Sequence, residues 1–390
     1  MKRVPNRWLW ALGLVLGLLV ILYVLTELTN SLLGWNHQDT TSLQLDTAID
    51  FDQYDQDVAK ESYITIDGLE KRSVFTASGV ESVNNRPPLF DPIRSIDVLK
   101  QAPEVVNPHP FGLLLDEPDF CGGNRFKDPF ILIMVESAVN NSERRQEIRE
   151  TWGQNNYTYP RIRIATIFVL GYMENDTLQE QVIAESELYH DIIQEDFIDS
   201  YENITYKSIM NLKWASEYCS TAQYILKTDD DMFVNVFTLY AYVIRFYTSG
   251  AATENSFLCN VWEDMLVRAD PTFRWRVPKE DNRFTGKFYP KYCSGSAYII
   301  SRDLLSPLYN QSLYTKFLRL EDVYTTGLLP QKLPKKPTYI NMKYLYVFLV
   351  VIPSELERLM QGDSAIFGHV NSEDRRSIWK SVFKEHSKYY

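Results

Sequence analysis

The chain has 390 residues, of which 45% are hydrophobic and 14% aromatic, enough to bury a sizeable core. Its 51 acidic residues outnumber its 40 basic residues, and the net charge is −11. This balance argues against a nucleic-acid partner, because phosphate binding draws on clustered lysine and arginine. A negatively charged ligand would therefore need a local positive charge at its binding site, such as a bound cation.

Residues 8–25 form an apolar run without a charge, WLWALGLVLGLLVILYVL, at the lower end of the length that spans a bilayer as a helix. Lys2, Arg3 and Arg7 precede this run, and Glu27 follows it. Basic residues favour the cytoplasmic side, so the pattern predicts a type II anchor with all later residues beyond the membrane. A cleaved signal peptide is the alternative, although no clean small-x-small cleavage site follows the run.

Residues 26–120 are rich in Asp, Ser, Thr, Asn and Pro, a composition that predicts a luminal stem. Residues 121–390 show no repeat of fixed period and have the size of one domain. We therefore predict a single folded domain there. Residues 1–7 are predicted to form a cytoplasmic tail that precedes the transmembrane signal-anchor at 8–25.

Glycosylation sequons and cysteines both indicate the secretory lumen. The N-x-S/T sequons, all after the anchor, begin at Asn140, Asn156, Asn175, Asn203 and Asn310. The four cysteines include no C-x-x-C pair, which favours one or two disulfides over a metal or redox site. They are Cys121, Cys219, Cys259 and Cys293, and the sequence leaves their pairing open.

The domain predicted at residues 121–390 begins with strands and helices in alternation. The apolar run FILIMV (130–135) is predicted to be a buried strand, and SERRQEIRETW (142–152) a helix with Ser142 placed to cap it. A second strand is predicted at IRIATIFVLG (162–171).

The alternation continues with a polar helix near 177–189, the strand DIIQED, a helix near 204–218 and the strand YILKT. It predicts an α/β fold with a mostly parallel sheet covered by helices. Ligands of such sheets bind at the carboxyl ends of the strands. A later apolar run, YLYVFLVVI (344–352), is too short to span a bilayer and is predicted to be a buried strand.

Three consecutive aspartates, Asp229, Asp230 and Asp231, follow the strand YILKT at the end where ligands bind. Their mutual repulsion is tolerable if a divalent cation and backbone donors neutralise them, and carboxylate oxygens suit magnesium or manganese. The metal would in turn hold a diphosphate. The alternative is a solvated turn with an aspartate that caps the next helix.

Four sequence stretches occur in a fixed order and cover most of residues 121–330. They are RRQEIRETWG (144–153), IIQEDFIDSYENITYKSI (192–209), KTDDDMFVN (227–235) and YPKYCSGSAYIIS with LEDVYTTG (289–301 and 320–327). In order and spacing they resemble the family of β-1,3-galactosyltransferases and β-1,3-N-acetylglucosaminyltransferases. The resemblance implies a type II Golgi membrane enzyme with the GT-A type of nucleotide-sugar-binding fold. Such an enzyme uses a UDP-sugar and usually Mn²⁺, and it forms a β1,3 bond with inversion.

The same resemblance implies roles for the acidic residues. Asp231 matches the closest metal contact, Asp229 lies at the nucleotide and metal, and His369 in AIFGHVNSEDRRSIW matches a histidine at the metal. Asp322 matches the base that takes the proton of the acceptor hydroxyl, with Glu321 in a supporting role. The alternatives are an acidic helix start for the ED pair and a solvated histidine.

The resemblance also implies that Asp230 lies near the ribose of the donor, and we expect basic residues near the phosphates. Arg145 and Arg149 are spaced i and i+4 on one predicted helix face, where they could hold the UDP phosphates or ribose. Lys207 could neutralise the same phosphates. Surface ion pairs with neighbouring glutamates, or a solvated lysine, are the alternatives.

On the acceptor side, Gly295 lies where the backbone can approach a ligand, and Trp275 matches a tryptophan of the family. Either residue could instead belong to the core. Residues 328–337, LLPQKLPKKP, depart from the family pattern, which usually has a cysteine-containing helix there. The resemblance of the segment before Cys121 to galactosyltransferases favours UDP-galactose as donor. The alternatives are a UDP-GlcNAc enzyme, a glycan-binding homologue without activity, and a glycoside hydrolase.

Overall fold

A mixed sheet of eight strands forms the centre of the part of the chain that the computed structural model describes. The described residues are 104–122, 130–155, 162–250, 254–278, 287–347, 353–360 and 365–386. The predicted tail, anchor and most of the stem fall outside these ranges. Within them, no helix is both long enough and apolar enough to cross a membrane.

The described ranges contain eleven strands in two sheets. In chain order they are β1 (Leu113–Leu115), β2 (Ile131–Glu136), β3 (Ile164–Tyr172), β4 (Ile192–Ile198), β5 (Tyr224–Asp229), β6 (Met232–Val234), β7 (Ser256–Trp262), β8 (Tyr292–Ser301), β9 (Thr338–Asn341), β10 (Tyr346–Val347) and β11 (Phe367–His369). The large sheet has the order β1-β4-β3-β2-β5-β8-β7-β9, and the small sheet has the order β10-β11-β6.

Helices cover the sheet and connect its strands. They are α1 (Ser142–Glu150), α2 (Asp176–Tyr189), α3 (Ile204–Tyr218), α4 (Val236–Thr248), α5 (Leu305–Leu313), α6 (Leu329–Lys332), α7 (Pro353–Met360) and α8 (Ser372–His386), with a π-helix at Val323–Leu328. The helices predicted near 142–152, 177–189 and 204–218 are confirmed. The predicted cap is wrong, because Ser142 is the first helical residue and the preceding Asn141 makes no side-chain cap bond.

The predicted parallel pairing holds for the centre of the sheet and for the edge pair β7 and β9. Strands β4, β3, β2 and β5 are parallel, and all six residues of β2 are buried, as expected for a strand covered on both faces. By contrast, β8 pairs antiparallel with both β5 and β7, and β1 pairs antiparallel with β4. The strand–helix alternation stops after β5, and strands that are not joined by a crossover helix can pair antiparallel. The sheet is therefore mixed.

Two disulfides tie the domain together, which confirms the prediction from the four cysteines. Cys121 pairs with Cys219 at the end of α3, and Cys259 of β7 pairs with Cys293 of β8. Two buried hydrophobic clusters, one including Trp152 and the other Trp214, complete the core.

The small sheet connects the C-terminal region to the aspartate triplet. β6 begins directly after the triplet, and its antiparallel register with β11 pairs Met232 with His369. Of the strand predicted at 344–352, residues 348–352 lie outside the described residues. Tyr346 and Val347 form β10, whereas Tyr344 belongs to a 3-10 helix and is 55% exposed.

Candidate active site

The site begins where β2 and β5 end side by side. In their parallel register Glu136, the last residue of β2, is paired with Asp229, the last residue of β5. Carboxyl ends of adjacent parallel strands meet at one edge of a sheet, which is where such folds bind ligands. Two carboxylates therefore share this edge, and a cation has to lie near them.

That cation is Lys227, which is 2% exposed. Its Nζ lies 2.7 Å from Asp229 Oδ1, 3.4 Å from Glu136 Oε2 and 3.5 Å from Glu321 Oε2. It also donates to the backbone oxygen of Gly295 at 2.8 Å. We call Lys227, Glu136, Asp229 and Glu321 the carboxylate network. The sequence analysis did not predict Lys227 or Glu136 as site residues. A lysine within the apolar strand before the aspartates could have indicated a buried ion pair.

Burial and charge act in opposite directions on the protonation of this network. Burial lowers the pKa of Lys227, but Asp229, Glu136 and Glu321 together raise it well above its usual value, so Lys227 is charged. Burial raises the pKa of Glu136 to about 8 and that of Asp229 to about 6, while Lys227 lowers both. Burial is thus the larger influence on both carboxyl groups, and the charge of Lys227 opposes it.

The hydroxyl of Ser208 lies between two carboxyl groups of this network. Its Oγ lies 2.6 Å from Glu136 Oε1 and 2.8 Å from Glu321 Oε1. Asn211 Nδ2 donates to the same Glu136 oxygen at 2.9 Å, and the Tyr298 hydroxyl donates to the same Glu321 oxygen. Both carboxyl groups therefore belong to one buried chain of hydrogen bonds.

Asp322 follows Glu321 and lies against β8. A Cβ placed on Gly295 would be 3.3 Å from both Cβ and Oδ2 of Asp322, so glycine leaves room for this carboxylate. The backbone N–H of Val323 donates to Asp322 Oδ1 at 2.8 Å at the start of the π-helix. Burial raises the pKa of Asp322 to about 7, and the charge of Glu321 adds to the increase. The predicted base thus has a pKa near neutrality.

The three aspartates have different environments. Asp230 is buried and accepts hydrogen bonds at 2.8 Å from Ser137 Oγ, Asn141 Nδ2 and Arg144 Nη1. It therefore fixes the segment between β2 and α1, a contact that sequence reasoning missed. The side chain of Asp231 is 39% exposed.

Asp231 lies beside His369, as the pairing of β6 with β11 requires. Its Oδ1 is 3.7 Å from His369 Nδ1, and the histidine side chain is 60% exposed. An exposed carboxylate and imidazole at this separation have the donor chemistry that suits manganese. Among the described residues, no group of three or more potential ligands converges on one point, so these residues would supply only part of a coordination shell.

The predicted basic donor contacts are occupied within the fold. Arg145 is fully buried and donates to Glu185 and to the carbonyls of Ala138 and Val139. Arg149 is paired with Glu185 and with Asp191.

Lys207 is equally engaged. Its Nζ lies 2.8 Å from Asp199 Oδ1 and donates to the Ser137 carbonyl at 2.6 Å. Arg145, Arg149 and Lys207 therefore position the segments around the site. Arg144, whose side chain is 44% exposed, is the arginine of α1 that reaches the aspartate triplet.

On the predicted acceptor side, Trp275 is 52% exposed and donates from Nε1 to the Tyr201 hydroxyl at 2.9 Å. Arg319, three residues before Asp322, donates from Nη2 to the carbonyls of Arg274 and Arg276 at 3.2 and 2.9 Å. The segment that carries the predicted base is thus tied to the loop that carries the tryptophan.

Comparison with known proteins identifies the family of this site. The model of the galactosyltransferase family matches residues 143–338. The chain belongs to the galactosyltransferase family. The matched region of this galactosyltransferase includes Asp229, Asp231 and Asp322, whereas Glu136 and His369 lie outside it. Family membership confirms the resemblance seen in the sequence motifs.

The similar proteins include beta-1,3-galactosyltransferase 1 of Mus musculus, which is 39% identical over 267 residues, 65% of this chain and 79% of the relative. Beta-1,3-galactosyltransferase 2 of Homo sapiens is 34% identical over 233 residues, 59% of this chain and 53% of the relative. A solved mannosyltransferase of Pyrobaculum calidifontis, in complex with GDP-Man and Mn²⁺, is 16% identical over 64% of this chain and 60% of its own. Its TM-score of 0.32 is too low to add to the assignment.

Proposed function

We propose that this chain is a β-1,3-galactosyltransferase that transfers galactose from UDP-galactose to a hydroxyl of a glycan acceptor with inversion. The observation that carries the proposal is Asp322, a carboxylate with a raised pKa in a galactosyltransferase-family site. The names of the most similar relatives support galactose as the transferred sugar and β1,3 as the linkage. We also infer the GT-A type of fold from membership of the family.

The proposed reaction uses Asp322 as its base. Its carboxylate takes the proton of the acceptor hydroxyl as the hydroxyl oxygen attacks the anomeric carbon of galactose. The bond from that carbon to the UDP oxygen breaks on the opposite face, so the configuration inverts and UDP leaves. Burial raises the pKa of Asp322 to about 7 and the charge of Glu321 adds to the increase, while Lys227 fixes the backbone of Gly295 beside it.

Mn²⁺ is part of the proposal, with Asp231 and His369 as its protein ligands. The exposed carboxylate and imidazole, 3.7 Å apart, fit a metal of mixed nitrogen and oxygen preference. When bound, the metal would neutralise charge on the diphosphate. Asp229 is oriented by Lys227 toward the same edge of the sheet. We leave Arg145, Arg149 and Lys207 out of the donor site because carboxylates and carbonyls of the fold already occupy their N–H groups.

We place the enzyme in the Golgi membrane with type II topology, with residues 8–25 as signal-anchor. The charge asymmetry around this segment supports the orientation. The two disulfides support an oxidising lumen for the catalytic domain.

A donor panel tests the proposed function. The full chain is incubated with a mixture of glycan acceptors and UDP-galactose, UDP-GlcNAc or UDP-GalNAc, with and without Mn²⁺, and UDP release is measured. We expect release from UDP-galactose that depends on both acceptor and metal. Faster turnover of UDP-GlcNAc would identify UDP-GlcNAc as the donor instead of UDP-galactose. Absence of turnover with all three UDP-sugars would favour a glycan-binding homologue without activity. Cleavage of a glycan without nucleotide would indicate a hydrolase.

A further inference from the structure

A basic cleft of about 370 Å³ lies next to the loop that carries Trp275. Its lining includes Glu202, Thr272, Phe273, Arg274, Arg276 and Arg319. Three of these residues are arginines, and Glu202 is the single carboxylate among the residues that line the cleft. The chain as a whole has a net charge of −11. A concentration of positive charge in such a protein favours anions at this place over the rest of its surface.

Two of the arginines are not paired with carboxylates. Within the part of the chain that the structure describes, neither Arg274 nor Arg276 forms an ion pair. The guanidinium of Arg274 lies 4.5 Å from the centre of the Tyr201 ring, a contact that orients it while leaving its N–H groups available. Arg276 is half-buried at the cleft. Arginine without an internal carboxylate is suited to bidentate binding of an external oxyanion.

The third arginine makes the cleft rigid. Nη2 of Arg319 donates to the carbonyls of both Arg274 and Arg276, so it fixes the backbone from which their side chains extend. Asp270 stabilises the start of the same loop, because its Oδ1 accepts from the backbone N–H and the hydroxyl of Thr272. The arginines are therefore presented by an ordered loop.

The cleft is close to the proposed acceptor side of the site. Arg319 precedes Asp322 by three residues, and the charges of both residues act on the pKa of Tyr289. Burial raises the pKa of Tyr289, the charge of Asp322 raises it further, and the charge of Arg319 lowers it. Two exposed aromatic residues, Trp275 and Tyr201, are joined by a hydrogen bond beside the cleft. Arg319, which lines the cleft, therefore lies on the same segment as the proposed base and contacts the backbone of the other two arginines.

We propose that this cleft binds an oxyanion substituent of the acceptor glycan, a sulfate ester or a carboxylate, and gives the enzyme a preference for acidic acceptors. The inference rests on the proposed galactosyl transfer and adds the charge class of its acceptor. Sulfate and carboxylate each present a pair of oxygens to a guanidinium, so the geometry accommodates either. A neutral acceptor would leave Arg274 and Arg276 without an anionic partner.

Matched pairs of acidic and neutral glycans test the inference. The full chain is assayed on an array in which each neutral glycan core also appears with a sulfate ester and with a carboxylate-bearing sugar. Binding of the chain and transfer of radiolabelled galactose from UDP-galactose are read separately. We expect the acidic member of a pair to exceed its neutral counterpart by roughly tenfold, as charged hydrogen bonds to arginine allow. The sulfated and carboxylated arms show which of the two anions is used.

Variants assign the preference to the cleft. Arg274→Gln combined with Arg276→Gln should reduce the ratio of acidic to neutral signal several-fold toward one, whereas Lys380→Gln, at an exposed lysine of α8, should keep the ratio of the unmodified chain. An acidic preference in binding without galactose transfer would support the cleft and contradict the proposed function. Equal signals for acidic and neutral members in the unmodified chain, or an unchanged ratio in the double variant, would overturn the inference.

Discussion

At the scale of single residues, Asp322 has the surroundings of a base that works near neutral pH. Asp322→Asn keeps the size of the side chain and removes its basicity. We expect galactose transfer to fall by about 10²- to 10⁴-fold, the usual contribution of a general base. UDP binding should change little, because the proposed metal ligands are on other elements. Both quantities are measured on the same preparation.

The contrasting variant is Asp231→Asn, which should lose metal-dependent UDP binding as well as transfer. Near-normal turnover of Asp322→Asn at saturating acceptor, with unchanged UDP affinity, would place the base elsewhere. Glu321 would then be the next candidate, because it is the neighbouring carboxylate.

Glu321 provides a separate test through its effect on the pKa of Asp322. Burial is the larger cause of the raised pKa of Asp322, about 7, and the charge of Glu321 is the second. A base acts when deprotonated, so transfer should decline as pH falls through this value. Glu321→Gln removes the charge but keeps an oxygen that can accept from Ser208 and Tyr298, so the decline should move to lower pH.

The measurement is the pH dependence of kcat/KM across roughly pH 5 to 9, the range in which the free enzyme's base titrates. The unmodified chain and Glu321→Gln are compared in the same buffers. An acid limb at the same pH in both proteins would mean that Glu321 does not act on the catalytic group.

His369 permits a test of the metal site. Its Nδ1 lies 3.7 Å from Asp231 Oδ1 on an exposed edge. His369→Ala removes one proposed ligand, so UDP binding should need more Mn²⁺, with the half-saturating metal concentration raised by roughly tenfold or more, as for loss of one coordinating group. A metal titration that does not change would remove His369 from the site. His190→Ala is a matched control, since the side chain of His190 is also more than half exposed and lies at the end of α2.

At the scale of secondary-structure elements, Lys227 joins β5 to β2, β8 and the start of the π-helix. Its removal would leave three buried or half-buried carboxylates without their cation. Lys227→Met should therefore lower the free energy of unfolding by roughly 3–5 kcal/mol, as expected when one partner of a buried charge network is lost. Urea unfolding measures this change. Lys380→Met, at an exposed position, should change stability by less than about 0.5 kcal/mol.

A smaller decrease in the free energy of unfolding of Lys227→Met would still agree with the charge network if the decrease became larger as pH rises. The pKa of Glu136 is raised to about 8 by burial, so this group is protonated at low pH and needs the lysine less. If the free energy of unfolding of Lys227→Met decreased only slightly and this decrease did not depend on pH, the charge network would be contradicted.

Elements with regular patterns were predictable from the sequence, and contacts between distant segments were not. The strand predicted at 130–135 and the helix predicted near 204–218 are confirmed. Both could be predicted because the pattern of apolar residues within a strand or helix indicates which of its faces are buried. The aspartates could be placed at a strand end for the same reason. The partners of Arg145 and Arg149 could not be found, because Glu185 and Asp191 come from α2 and the segment after it. The antiparallel β8 was missed because no local pattern specifies strand direction.

At the scale of the whole molecule, one disulfide joins the segment after β1 to the end of α3, and the other joins two strands of the large sheet. Cys121–Cys219 closes a separation of 98 residues, and Cys259–Cys293 joins neighbouring strands across 34 residues. In the chain-entropy account, the longer loop is associated with about 4.7 kcal/mol of stabilisation and the shorter loop with about 3.8 kcal/mol. Such bonds persist in an oxidising compartment, which agrees with the proposed Golgi lumen.

The sequons allow this compartment to be tested residue by residue. Asn140, Asn175 and Asn310 are exposed, Asn203 is half-buried, and Asn156 lies outside the described residues. Asn203 Nδ2 donates to the Ile198 carbonyl at 2.9 Å, whereas Asn310 Nδ2 makes a longer contact of 3.4 Å with Ser306 Oγ. A glycan is attached through this nitrogen, so a half-buried asparagine whose Nδ2 is closely bonded within the fold is a poor acceptor. We therefore expect glycans at the three exposed sites and none at Asn203.

The full chain is expressed in a secretory cell, and its electrophoretic mass is compared before and after digestion with a peptide N-glycosidase. Digestion should lower the mass, and Asn140→Gln, Asn175→Gln and Asn310→Gln should each lower the undigested mass by one glycan. Asn203→Gln is the matched control and should leave the mass unchanged, because its amide is held by the fold. A lower mass in Asn203→Gln would show that this hydrogen bond does not protect the site. A chain with no glycan, degraded by protease added outside sealed Golgi vesicles, would place the catalytic domain on the cytoplasmic side and contradict the type II orientation.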